Sequence, residues 1–87
     1  MQTESDAKHF AEPVLVRLSS GVVSIGSVQE ASDLLASVEW PGPRDELHAN
    51  ALETCLKVLD GHRSIEDARA RLVDAALAAG LYSDAVR

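Results

Sequence analysis

Aromatic side chains are scarce in this chain, with Phe10, Trp40 and Tyr82 the only three among 87 residues. Its core has to come from Leu, Val, Ile and Ala, and the alanines let helices approach closely. Cysteine is scarcer still. Cys55 stands alone, which excludes an intrachain disulfide and fits a reducing, cytoplasmic setting. Basic residues are few: 8 Lys and Arg face 14 Asp and Glu, for a net charge of −6. Arg17, Arg44, Lys57, Arg63, Arg69 and Arg71 are also scattered along the chain. Nucleic acids and anionic membranes are bound mainly by clustered cations, so neither is expected as a partner. No apolar run approaches the length of a membrane span, and the opening MQTESDAKHFAEP holds no apolar segment of a signal peptide. The glycines form neither GxxxxGK[ST] nor GxGxxG, so no phosphate-cradling loop is expected.

What is present reads as one small domain. Residues 1–12 are polar and unpatterned and are expected as a flexible arm, with Phe10 placed to cover an edge. From Pro13 to Leu18 the chain is β-branched and partly alternating, with Val14, Val16 and Leu18 on one face. Ser19-Ser20-Gly21 then makes a turn, with glycine taking the positive φ that such a turn requires. Val22 to Ile25 returns as a second strand, and Val23 and Ile25 join the inner face. Leu15 and Val22 fall on the outer face. Apolar residues there mark a possible dimer face, because a lone hairpin is marginal in water.

Three helices are expected to follow. Ser27 and Glu30 form a capping box for the first, whose stripe is Val28, Ala31, Leu34, Leu35 and Val38. Trp40-Pro41 ends it, since a residue before proline avoids the helical region. Pro43 suits the first turn of the second helix, with Asp45 and Glu46 near its positive end. Its stripe is Leu47, Ala51, Cys55, Val58 and Leu59, widened by Leu52 and Leu56, and Gly61 closes it. Ser64 caps the third, with Ile65, Ala68, Leu72, Ala75, Ala76 and Ala79 buried, flanked by Val73 and Leu77. Gly80 ends that helix, and residues 82–87 are expected to fray. The fold class is α+β: a β-hairpin followed by three helices, ββααα, over residues 13–81.

In this order, Pro13-Val14, Ser27-x-x-Glu30-Ala31, Leu35 and Trp40-Pro41 resemble a family of short bacterial proteins known only as domain of unknown function 982. Ala51-Leu52-x-x-Cys55-Leu56, Gly61, Ala68-Arg69, Ala75-Ala76 and Ala79-Gly80 extend the resemblance over residues 10–81. The chain departs from it at Leu72, where such proteins are expected to carry an aromatic. The resemblance implies an architecture and no catalytic residues.

Candidate chemistry is sparse. His48 and Cys55 are seven apart on one helix, about 10 Å along its axis, too far for the direct contact a thiolate–imidazole pair needs. His9, His48 and His62 show no metal-ligand spacing, and no metal or other cofactor is expected. The acid pairs Asp45-Glu46 and Glu66-Asp67 belong to helix first turns. The residue of most interest is Trp40, read first as a packed cap on the core and otherwise as a wall of a ligand or partner groove with Arg44 and His48. The chain therefore reads as a non-catalytic, cytoplasmic protein-interaction module, homodimeric through its hairpin. The alternative is a small-molecule sensor or accessory subunit with a pocket beside Trp40.

Overall fold

A computed structural model of the protein describes residues 8–83. Its elements run β1 (His9–Leu18), β2 (Gly21–Ser27), α1 (Val28–Ala36), α2 (Glu46–Leu59), α3 (Ile65–Ala78) and β3 (Tyr82–Ser83). The architecture is the expected hairpin and three helices, with a short third strand added. The strand order β2-β1-β3 puts β1 in the middle of an antiparallel sheet.

β1 begins at His9, four residues before the expected start, so residues 9–12 belong to the sheet and not to a flexible arm. Residues 1–7 of that arm lie outside the described residues. The early start is hidden in the sequence by an irregularity. His9 pairs with Ser27 and Val14 with Ile25, so residues 10–13 of β1 stand opposite Gly26 alone. A bulge of this kind leaves backbone carbonyls without ladder partners. Arg69 of α3 supplies them: its Nε donates to the Glu12 carbonyl at 2.9 Å, and its Nη2 lies 3.5 Å from that of Pro13. Phe10, projecting from the bulge, is buried in the core.

The cross-strand pairs Val14–Ile25 and Val16–Val23 face the helices. Leu15 pairs with Ser24, and Arg17 with Val22, on the opposite face. α3 lies on β1 and β3, α1 on β2, and α2 packs chiefly on α1 and α3. Val16, Val28, Leu35, Cys55 and Leu72 are fully buried where these layers meet. Leu72, where the resemblance implied an aromatic, thus fills the core without a ring.

Ser27 caps α1 as expected, its Oγ accepting from the Glu30 N–H. The Glu30 carboxylate reaches one residue further back than a capping box requires, to the Gly26 N–H at 2.7 Å. α1 stops at Ala36 because the Ser37 hydroxyl accepts from the Glu39 N–H, offering the backbone a partner outside the helix. Val38 consequently leaves the stripe and is 93% exposed.

α2 starts at Glu46 and not at Pro43, because Asp45 serves as its cap and accepts from the His48 N–H. The buried line of α2 is His48, Ala51, Thr54, Cys55 and Val58, and the expected Leu47 and Leu56 are exposed. In α3 the expected flank residue Leu77 is exposed as well.

α2 and α3 both end in the same glycine motif. Gly61 and Gly80 take positive φ, and the N–H of the next residue, His62 or Leu81, donates to Lys57 or Ala76 respectively. These bonds close the last helical turn and reverse the chain. After Gly80 the reversal carries Leu81 onto β1, where its carbonyl accepts from the Arg17 N–H at 2.7 Å. Tyr82 and Ser83 then pair with Val16 and Leu15, so the fraying expected from residue 82 does not begin there. Residues 84–87 lie outside the described residues.

Candidate functional site

The loop from Ser37 to Asp45 brings Trp40, Arg44 and His48 together. Trp40 is only 3% exposed, and its ring centroid lies 5.7 Å from that of His48, with the planes tilted by 51°. Gly42 crosses the indole so closely that a Cβ there would meet Ala79 Cβ at 2.6 Å and Trp40 Nε1 at 3.1 Å. Only glycine allows this approach. The indole N–H finds no hydrogen-bond partner among the described residues. Trp40 is therefore a core residue held under its own loop.

The polar atoms of the other two residues face the end of α1. His48 Nε2 lies 2.7 Å from the Leu35 carbonyl oxygen. A carbonyl offers only lone pairs, so Nε2 carries the proton and donates. Arg44 Nη1 donates to the same oxygen at 3.1 Å, and Nη2 to the Ser37 carbonyl at 2.7 Å. Arg44 Nη1 also sits 3.3 Å from His48 Nε2, as one donor beside another. The last carbonyls of a helix have no partners within it and carry its negative end. Arg44 and His48 supply both hydrogen bonds and, through Arg44, positive charge. The three residues singled out in the sequence are thus brought together as a clamp between α1 and α2.

Cys55 is fully buried, and that burial pushes its thiol up to about 11. A thiol held protonated at neutral pH is a poor nucleophile. His62 lies at the surface with Nδ1 3.5 Å from Asp60 Oδ2. Leu15 is half-buried and Val22 is 52% exposed, both on the sheet face away from the helices.

A second gathering of side chains was not foreseen. Asn50, Glu53, Thr54 and Lys57 of α2 meet Arg63 and Arg71 across an open polar cleft of about 220 Å³. Three cations that look scattered in the sequence thus share one wall-to-wall space. Thr54 is the buried member, 6% exposed. Lys57 Nζ lies 3.4 Å from Glu53, Arg63 Nε 3.1 Å from Asp67, and Arg71 Nη1 3.5 Å from Asp74. The available signal was periodic: residues 50, 53, 54 and 57 share one face of α2, and 67, 71 and 74 one face of α3. That the two polar faces adjoin depends on the reversal at Gly61.

No curated protein and no solved structure matches this chain significantly. Residues 12–83 match the family described as "Protein of unknown function (DUF982)", a span that takes in most of the sheet, the clamp and the cleft. The chain belongs to that family.

Proposed function

We propose that the protein is a non-catalytic, cytoplasmic interaction module that pairs with a second copy of itself along β2. The observation that carries this reading is the open side of that strand. The Arg17 N–H points away from β2, toward β3. Its antiparallel partner Val22, and Ser24 opposite Leu15, therefore direct their own backbone groups away from β1. Gly26 is the next in that alternation, and its N–H is already taken by Glu30. Val22 and Ser24 remain as an edge with no backbone partner among the described residues.

Edge strands are commonly blunted by charge or proline, and Gly21–Ser27 (GVVSIGS) contains neither. In a chain of net charge −6 this uncharged strand is where two copies can approach without like-charge repulsion. An antiparallel pairing places Val22 of one copy opposite Ser24 of the other, twice over, and joins two sheets into one. Val22 and Leu15 extend the contact over the outer face.

Sedimentation velocity at tens of micromolar tests this. The wild type is expected to run as a dimer. Ser24→Pro, which deletes an N–H that the protomer's own ladder does not use, and Val22→Glu are expected to run as monomers with unchanged circular dichroism. A monomeric wild type, or dimers in both variants, overturns the reading.

A further inference from the structure

We infer that the cleft between α2 and α3 is a binding site for a compact oxyanion carrying two or more negative charges. The proposal goes beyond self-pairing and involves none of the residues of the β2 edge. Lys57, Arg63 and Arg71 line the cleft against a single lining carboxylate, Glu53. Counted with the carboxylates that hold them, Glu53, Asp67 and Asp74, the three cations balance in charge, in a chain that as a whole carries 14 acids and 8 bases.

The cations arrive from three separate places: the last turn of α2, the connection after Gly61, and the middle of α3. Asp67 and Asp74 are not part of the lining, and each holds its arginine from the side. Such pairing between half-exposed side chains is worth little, about 0–1 kcal/mol, so it orients the guanidinium groups without consuming their remaining donors. Arginine presents five N–H donors in a planar fork, and Arg63 and Arg71 each use few of them. Asn50 adds an amide, and Thr54 a hydroxyl on the most buried of the lining residues. Donors on several sides of a small space match the oxygens of a phosphoryl or carboxylate group, which would exchange for the carboxylates now paired with these cations.

Glu53 marks the site's sensitivity. Its carboxylate holds Lys57 at 3.4 Å and would repel an incoming anion. Removing that charge should tighten binding, an outcome that a merely structural role for these residues does not produce.

The test is an amide chemical-shift titration of the full chain at constant ionic strength. Inorganic pyrophosphate and citrate serve as separate probes, to distinguish phosphoryl from carboxylate recognition, and chloride as the control. Saturable shifts are expected at Asn50, Thr54, Lys57, Arg63 and Arg71 with at least one probe, with a dissociation constant on the order of 1 mM or below. The Arg63→Gln, Arg71→Gln pair should weaken that binding about tenfold or more, and Glu53→Gln should strengthen it. Because all three side chains are substantially exposed, the variants are expected to keep the wild-type melting temperature. Linear shifts with both probes, shifts centred elsewhere, or an affinity unmoved by Glu53→Gln overturn the proposal.

Discussion

Arg44 and Arg71 flank the same helix, α2, and the regions around them differ in what the cations meet. At the α1–α2 clamp the guanidinium of Arg44 donates to the backbone carbonyls of Leu35 and Ser37. Behind it lie Trp40 and His48, both buried. At the α2–α3 cleft Arg71 meets the Asp74 carboxylate alone among the described residues, with about half of each side chain exposed. Carbonyls at a helix end have no competing partner inside the helix, so Arg44 fills a fixed structural need. A surface carboxylate is equally well served by water, which leaves Arg71 free for exchange with another anion. The position of a cation on the chain does not separate these roles. The identity of its acceptor does.

The largest effect should come from the clamp's core. Trp40→Ala is expected to cost about 3–5 kcal/mol in urea unfolding, a large share of the stability of so small a domain. A loss of under about 1 kcal/mol would mean that the clamp is no more structural than the cleft.

Cys55, buried in α2 between the two regions, should report the integrity of the shared core through pH. Its thiol is pushed from 9.0 up to about 11 by burial, so on raising the pH the unfolded chain releases that proton first. The thiol's effect on stability is therefore absent below pH 9, grows as a loss between 9 and 11, and levels off above. Comparing the pH dependence of unfolding free energy in the wild type and Cys55→Ala isolates this contribution. Equal slopes in the two proteins would show that α2 opens to water without global unfolding.

The smallest and most direct comparison pairs two substitutions of one kind. Arg44→Met removes donors from two helix-end carbonyls and should cost about 1–2 kcal/mol. Arg71→Met should stay within about 0.5 kcal/mol. Equal losses in thermal unfolding would erase the distinction.

Local devices were legible in advance. Ser27 and Ser64 act through hydroxyls on N–H groups three residues away, and Gly61 and Gly80 through their own φ. Their chemistry depends on immediate neighbours, so residue type and spacing suffice to read it. Val38 was misread because periodicity extends a stripe past a helix end that the Ser37 hydroxyl sets. Asp45, expected as a first-turn charge, is the cap, because α2 begins three residues beyond Pro43.

The sequence alone therefore determined the order of the hairpin and three helices, most caps and the centres of the apolar stripes, all consequences of interactions spanning a few residues. Tertiary structure alone decided the rest. Arg69 reaches the bulge carbonyl of Glu12, 57 residues away. Leu81 to Ser83 return to β1. The clamp turns Arg44 and His48 inward, and the reversal at Gly61 gathers Lys57, Arg63 and Arg71. Each of these joins groups distant in the chain, whose meeting is set by how packed helices and strands are angled against one another, a property that no residue carries by itself.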